Sequence, residues 1–237
     1  MPRFFKEHFA EQPFIDGADA HHIIKSLRMR CGEELTVCDT RGIDYRCVIT
    51  ECTDKVSLKI LSYTANATEP SVSVTLYQCI TKGDKMDTIV RQAVESGACR
   101  IVPVLSANCV SRPDPKSLEK KTERWQKIAF EAAGQCGRGI LPEVGECLTL
   151  PLVAKEAGEL DRSFFCYELG GESIGKIEKD VRTVGIIIGP EGGFTAAEAE
   201  QLKNAGSIVT TLGPRIFRAE TAPIAALAAV MLQSGNM

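Results

Sequence analysis

Long hydrophobic runs are absent from this sequence of 237 residues. No apolar stretch reaches the roughly 18 residues that a membrane-spanning helix needs. The N-terminal segment MPRFFKEHFAEQPF also lacks the apolar core and the small-residue cleavage site of a secretory signal. Because 44% of the residues are nevertheless hydrophobic, the composition predicts a folded protein with a sizeable core, and we expect it to be cytoplasmic.

Metal-binding patterns are missing as well. The sequence has three histidines, and none of its ten cysteines is spaced as CxxC. Structural zinc sites combine cysteines and histidines at such short spacings, so we predict no metal. The cysteines are interpreted as small, reduced core residues.

The two most familiar phosphate-binding strings do not occur either. There is no GxxxxGK[ST], and no GxGxxG follows a first strand. The net charge is −3, from 28 basic and 31 acidic residues. This balance neither requires nor excludes a nucleic-acid partner, because a local basic surface can lie on a nearly neutral chain.

Residues 1–70 combine alternating strands with tight turns. ELTVC, YRCVI and KVSLKI each alternate inward and outward positions, which is typical of half-buried strands. DAHHIIKSLR predicts one helix with Asp19 as its N-cap, and SYTANATEPS (62–71) predicts a linker. The pattern favours a small β-barrel that ends near residue 70.

Residues 71–237 alternate strands with helices. VSVTLYQCI, RIVPVL, SFFCYE, TVGIIIG and SIVTTL are predicted strands. Among the helices, TAAEAEQLKNAG begins with a capping box of Thr195 and Glu198, and TAPIAALAAVML begins at Thr221. We therefore predict an α/β domain with a parallel sheet, whose ligands bind at the carboxyl ends of the strands.

Two glycine-proline loops follow predicted strands. GPEGG (189–193) follows TVGIII, and LGPRIFRAETAP (212–223) follows SIVTT. We expect the two strand ends to be adjacent, so that the loops line one crevice. Glu191 would repel phosphate, so a neutral or cationic ligand suits this crevice better. The alternative is an ordinary strand-to-helix turn with a carboxylate near a helix N-terminus.

Four segments of the chain together resemble the ribosomal RNA small subunit methyltransferase E family of the SPOUT superfamily. They are KGDKMDTIVRQAVESGACRIVPV, EAAGQCGR, IIIGPEGGFTAAEAE and LGPRIFRAETA. The resemblance extends over nearly the whole chain, and the last two segments are its most specific part.

This resemblance implies a fold and an activity. The fold is an N-terminal PUA-like RNA-binding β-barrel at 1–70, followed at 71–237 by a SPOUT α/β domain with a trefoil knot. The activity is methylation of N3 of one uridine in 16S ribosomal RNA by a homodimer that uses S-adenosylmethionine. Two alternatives stay open: a knotted methyltransferase with another target, such as a ribose 2′-oxygen, and an RNA-binding protein with a degenerate cofactor pocket.

The resemblance also implies which residues bind the cofactor. By position they are Tyr167, Glu168, Leu169, Ile188, Gly189, Glu191, Gly192, Leu212, Gly213, Ile216, Phe217, Ala219 and Thr221. Thr221 has the alternative role of capping the last helix.

Catalysis is assigned to Arg218 and Glu220. N3 of uracil loses a proton when the methyl group arrives, and an arginine is a poor base but a good partner for developing negative charge. We therefore expect Arg218 to stabilise the uracil oxygens. Glu220 either orients Arg218 or accepts the proton. Because N3 lies on the pairing edge of the base, the target uridine must be unpaired or flipped out.

Basic side chains supply the predicted RNA contacts. They are Arg3, Arg28, Lys82, Lys85, Arg112 and Arg138. For each of them the alternative is a charge that only faces solvent.

Overall fold

The computed structural model describes residues 1–237, and the chain divides into two compact units. The first unit comprises Met1–Glu69 together with Ala133–Leu141, and the second comprises Pro70–Ala132 together with Pro142–Met237. The chain thus leaves the first unit beside residue 70, where a boundary was expected. It also returns to that unit at residues 133–141, which the sequence had placed in the second domain.

The first unit is built on a five-stranded sheet with the order β1-β3-β4-β5-β2. Its strands are β1 (Arg3–Phe5), β2 (Phe14–Ile15), β3 (Glu34–Cys38), β4 (Ile43–Cys52) and β5 (Val56–Ala65). β1 pairs with β3 in parallel, and the other pairs are antiparallel. Leu35, Val37, Cys47 and Ile49 are buried at alternating positions, as a period of two requires.

Two details of the first unit correct the predictions. The predicted helix is a short α-helix, α1 (Gly17–His21), continued by a π-helical turn from His22 to Ser26, and Asp16 rather than Asp19 occupies its N-cap position. β5 extends to Ala65, so the first part of the predicted linker is a strand that pairs with β4. These residues form a strand because β4 supplies a pairing partner. The polar sequence SYTA does not predict a strand by itself.

Polar contacts hold residues 137–140 in the first unit. Asn66 Nδ2 and Thr68 Oγ1 donate hydrogen bonds to the carbonyl of Gly137 at 3.1 and 2.8 Å. The Glu69 carboxylate lies 2.8 Å from the Arg138 guanidinium. It also accepts the backbone N–H of Gly139 at 2.7 Å. This network explains why the returning segment belongs to the first unit.

The second unit contains a parallel sheet with the order β12-β10-β11-β6-β7-β8, and β9 also pairs with β7. Its strands are β6 (Ser73–Cys79), β7 (Arg100–Leu105), β8 (Glu143–Val144), β9 (Leu148–Thr149), β10 (Arg162–Cys166), β11 (Thr183–Ile188) and β12 (Ile208–Thr210). The helices that follow are α2 (Lys85–Glu95), α3 (Pro115–Cys136), α4 (Leu150–Gly158), α5 (Ala196–Asn204) and α6 (Ala222–Gln233). The last four residues of α3 belong to the first unit. The prediction of an α/β domain with a parallel sheet is confirmed.

Burial explains the position of β11 in this sheet. The strand lies between β10 and β6, and every residue from Val184 to Ile188 is buried. An apolar run of this kind is typical of a parallel strand covered on both faces. None of the helices combines the length and the apolar character that crossing a membrane requires.

Candidate active site

Three loops at the carboxyl edge of the parallel sheet surround one cavity of about 1210 Å³. They follow β10 (residues 167–170), β11 (189–193) and β12 (211–219). The sheet order places β10 between the other two strands, so the expectation that β11 and β12 are adjacent was wrong. The loop after β10 therefore forms the wall between the two glycine-proline loops.

The GPEGG loop is held by side-chain hydrogen bonds and by one glycine with a positive φ. Asn108 Nδ2 donates to the backbone carbonyls of Gly192 and Gly193, at 3.1 Å each. Gly193 has a φ of +65°, and a Cβ atom there would overlap the carboxylate of Glu168. A larger residue at position 193 would therefore be strained in its backbone, and the Glu168 carboxylate would have to move aside.

Glu191 connects this loop to the beginning of α2. Its Oε1 accepts the backbone N–H of Lys82 at 3.0 Å and lies 3.5 Å from Nζ of Lys85. Partial burial disfavours the charged carboxylate, but these two contacts outweigh it and keep the pKa of Glu191 below its ordinary value. The acidic residue of the loop is thus ionised and paired within the protein.

Lys85 also reaches the second glycine-proline loop. Its Nζ lies 2.9 Å from Oε2 of Glu220, a buried oxygen that receives no well-directed hydrogen bond, so charge holds this pair together. The Glu220 carboxylate raises the pKa of Lys85, and the ammonium in turn lowers the pKa of Glu220. One lysine therefore links the loops that follow β11 and β12.

Large apolar side chains are exposed at the cavity. Leu169 is 79% exposed and Ile216 is 85% exposed. Behind the wall, the ring of Phe165 stacks on Tyr167 at 5.1 Å and meets Phe194 edge-on at 5.0 Å. Exposed apolar side chains at a cavity are typical of a pocket that receives a partly apolar ligand.

The LGPRIF loop turns sharply at Gly213, which has a φ of +106°. The hydroxyl of Thr211 accepts the backbone N–H of Gly213 at 3.2 Å and fixes this turn. The turn is followed by Arg215 and Arg218, both exposed and both part of the cavity lining. Thr221 occupies the N-cap position of α6, but its side chain makes no capping hydrogen bond.

Comparison with known proteins accounts for both units. A sequence model described as an RNA methyltransferase domain matches residues 68–231, and one described as an RNA methyltransferase PUA domain matches residues 15–61. A ribosomal RNA small subunit methyltransferase E from Bacillus subtilis is 33% identical over 99% of this chain and 97% of its own length. The chain belongs to the ribosomal RNA small subunit methyltransferase E family.

Other members of this methyltransferase family agree with that assignment. The protein of the same name from Aquifex aeolicus is 31% identical over 84% of this chain and 81% of its own length. The crystal structure of the family member from Neisseria gonorrhoeae, bound to S-adenosyl methionine, is 31% identical and superposes with a TM-score of 0.86. The superposition covers 98% of this chain and 97% of that one. The prediction of family, of an RNA methyltransferase and of a PUA-like first domain is confirmed.

The structure brings most of the predicted cofactor residues of this methyltransferase to the cavity. Those that line it are Tyr167, Glu168, Leu169, Ile188, Gly189, Glu191, Gly192, Leu212, Gly213, Ile216, Phe217 and Ala219. The predicted residue Thr221 is exposed and does not line it, and neither does Glu220. Contact of each lining residue with the cofactor stays a prediction.

Two of the predicted RNA contacts are corrected by burial. The Arg138 side chain is 4% exposed and faces Glu69. The Arg3 side chain is 11% exposed and forms two hydrogen bonds with Asp44. Both guanidinium groups are therefore part of the first unit's interior and do not face an RNA molecule.

The other predicted RNA contacts lie at the surface or in ion pairs. Arg28 and Lys82 are exposed. Arg112 is exposed too, although its Nη2 donates to the carbonyls of Ser106 and Ala107 at 2.7 Å each. Lys85 forms ion pairs with Glu191 and Glu220. RNA contact by any of these residues stays a prediction.

Sequence reasoning missed several residues of the site. Cys166, Gly170, Pro190, Thr210, Pro214 and Ala222 line the cavity. Pro190, Pro214 and Ala222 lie within the two glycine-proline motifs, and the other three lie within two residues of predicted site residues, so including each whole loop up to its strand end would have found them. Asn108, which fixes the GPEGG loop, carries no such signal because it is about 80 residues away in the chain. No group of three or more histidine, cysteine, aspartate or glutamate side chains is placed to hold a metal ion.

Proposed function

We propose that this protein methylates N3 of a specific uridine in 16S ribosomal RNA of the small subunit, with S-adenosylmethionine as the methyl donor. The observation that carries the proposal is the cavity formed by the three loops after β10, β11 and β12, with the Arg218 side chain on its lining. Ligands of open parallel sheets bind at this edge. Membership of the family supports the cofactor and the class of substrate.

The cavity has the properties that S-adenosylmethionine requires. Its volume of about 1210 Å³ is ample for a cofactor of this size. Leu169 and Ile216 offer apolar cover for an adenine ring, and Glu168 on the lining is a carboxylate that forms no ion pair, which is compatible with a cationic ligand. When bound, the cofactor supplies a methyl group activated on a positively charged sulfur.

Arg218 is the residue best placed to assist the reaction. The uracil N3–H gives up its proton as the N3–carbon bond forms, which leaves negative charge shared with the neighbouring oxygens O2 and O4. The guanidinium of Arg218 is always protonated, faces the cavity and stabilises that charge. It therefore favours the deprotonated ring that attacks the methyl group.

Glu220 has a different position in this arrangement. It does not line the cavity, and its carboxylate is paired with Lys85. We assign it the positioning of the LGPRIF loop through Lys85, and we assign the proton to solvent at the open cavity. Glu220 would become the acceptor only if Lys85 moved away, because its lowered pKa makes it a weak base in the pair.

Three further features are part of this proposal. A trefoil knot in the second unit would thread the chain through the loops that form the cavity, and a homodimer would be the active form. A cytoplasmic location follows from a ribosomal substrate. Knot, dimer and location rest on the family resemblance described above.

Nucleoside analysis tests the reaction. We expect 3-methyluridine to disappear from small-subunit ribosomal RNA of cells that lack the gene, and to return when the gene is supplied on a plasmid. Mass spectrometry of RNA digests measures this directly, and ribose-methylated nucleosides serve as the internal control. Unchanged 3-methyluridine with loss of a 2′-O-methyl nucleoside would replace the base target by a ribose target.

A further inference from the structure

A basic surface outside the main cavity lies on helix α3. Lys120, Lys121 and Arg124 line a small depression of about 230 Å³ whose other walls are Gly83, Asp84, Asp87 and Trp125. Lys120 and Arg124 are exposed and Lys121 is partly exposed. We call these three basic residues the α3 basic face.

Basic residues outnumber acidic ones in α3. The helix carries five lysine and arginine residues and three glutamates. At about 100° per residue, Lys120, Arg124 and Lys121 fall within an arc of about 100°, and the one glutamate within that arc, Glu131, lies about two turns beyond Arg124. The excess of positive charge around these three residues produces a field that a polyanion would feel.

The lysines of this face are not neutralised within the protein. Asp87 is occupied by Arg124, with which it forms an ion pair, and by Trp125, whose Nε1 donates to it at 3.1 Å. Lys120 and Lys121 form no ion pair, and Asp84 is the only other acidic side chain of the depression. With exposed Lys82 beside Gly83, the positive charges here exceed the negative ones by two.

The depression and the main cavity share one short segment, residues 82–85. Lys85 lines the main cavity, Gly83 and Asp84 line the depression, and Lys82 is bonded through its backbone to Glu191. Four residues span at most about 14 Å even when fully extended. An RNA strand with one nucleotide in the main cavity can therefore reach the α3 basic face with the phosphates of its flanking nucleotides.

We propose that the α3 basic face binds the phosphate backbone of the substrate RNA next to the target nucleotide, an inference that rests on the proposed function. Flanking nucleotides present phosphates whatever their sequence, and unpaired lysine ammonium groups suit such contacts as point charges. Because the α3 basic face adjoins the cavity assigned to the target nucleotide, we infer that its partner is RNA and not an acidic protein surface. These contacts position the strand and do not read its sequence.

The test compares the full-length protein with the double variant Lys120→Ala/Lys121→Ala. Binding to an unmethylated small-subunit RNA transcript is measured over a range of salt concentrations. We expect the slope of log K against log salt to become shallower by about 1.4 to 1.8, because each lost phosphate contact accounts for about 0.7 to 0.9. The KM for RNA should rise by about tenfold, with kcat at saturating RNA and the affinity for S-adenosylmethionine unchanged.

The matched control is Lys176→Ala/Lys179→Ala, which removes two exposed lysines near the amino end of β11. It should leave the salt slope unchanged. A wild-type slope in the α3 double variant would overturn the proposal. So would a loss of binding to assembled subunits without any change for naked RNA, since that result would identify a protein partner. Methylation of RNA by the wild-type protein would in either case leave the proposed function standing.

Discussion

Lys85 changes the interpretation of the GPEGG motif, because it forms an ion pair with the acidic residue of that loop. The acidic residue of GPEGG is unusual for a loop that resembles a phosphate-binding turn, and the sequence alone permits either ligand binding or helix capping. In the structure, Glu191 meets Lys85 and the backbone of Lys82, more than 100 residues earlier in the chain. The carboxylate therefore has a partner inside the protein while it lines the cavity.

Arg218 carries the most direct prediction at the residue scale. Arg218→Ala should lower kcat by about 100-fold or more, because it removes a donor aimed at charge that develops in the transition state. The Kd for S-adenosylmethionine should stay within several-fold of the wild type, since the guanidinium is assigned to the uracil and not to the cofactor. Calorimetry and single-turnover methylation measure the two quantities.

The control for Arg218→Ala is Arg182→Ala, which removes an exposed arginine just before β11, at the opposite edge of the sheet. It should change neither kcat nor cofactor affinity. A loss of cofactor affinity equal to the loss of turnover in Arg218→Ala would reassign this arginine to cofactor binding.

Helix caps distinguish two elements that look alike in sequence. Thr195 and Thr221 both precede helices that begin beside the cavity loops. Thr195 accepts the backbone N–H of Glu198 at 3.2 Å, and Glu198 reaches back to the backbone of Thr195 at 2.9 Å, which completes the predicted capping box. Thr221 makes no such bond because its backbone stays in the helical region. The cap of α5 therefore contributes stability that the cap of α6 does not.

Paired substitutions test this difference between the two helices. Thr195→Ala should lower the free energy of unfolding by about 1 kcal/mol, the usual effect of losing a capping side chain. Thr221→Ala should change it by less than about 0.5 kcal/mol, the usual range for an exposed residue without special contacts. Urea denaturation of both variants gives the comparison, and equal losses would contradict the assigned caps.

Elements with a strong local pattern could be predicted, and elements that depend on distant partners could not. The buried run of β11 and the apolar spacing of α2 each specify their structure within about ten residues. The end of β5 and the strands β1, β2, β8 and β9 are paired with residues elsewhere in the chain, and these four strands have only two or three residues each. Such short segments carry no detectable periodicity.

The same limit applies to the site as a whole. The two glycine-proline motifs named most of the cavity lining, because backbone turns leave a local signature in glycine and proline. The sequence could not show that β10 separates their strands, that Asn108 fixes one loop, or that residues 133–141 join the first unit. Each of these facts depends on contacts between residues far apart in the chain.

The ion pair of Glu69 and Arg138 supports a prediction at the scale of the whole molecule. It joins the returning segment, residues 133–141, to the rest of the first unit. Burial disfavours the charged form of Glu69, but Arg138 and the backbone of Gly139 and Ile140 outweigh it and lower its pKa. Arg138→Met should lower the free energy of unfolding at pH 7 by about 3 kcal/mol, since the carboxylate stays buried without its partner. Far-UV circular dichroism during urea titration measures the loss.

The pH dependence separates loss of charge pairing from loss of packing. In the wild type, a carboxylate with a lowered pKa contributes stability above its unfolded value of about 4.3, and this contribution disappears as the pH falls through the folded value. Arg138→Met removes that contribution, so its deficit should be largest at pH 7 and smaller at pH 3, where the pH has fallen below the unfolded value and towards the lowered folded pKa of Glu69. The double variant Glu69→Gln/Arg138→Met should be more stable at pH 7 than Arg138→Met alone, because no charge is then left buried. A deficit that is equal at both pH values would instead assign the role of Arg138 to packing by its aliphatic stem.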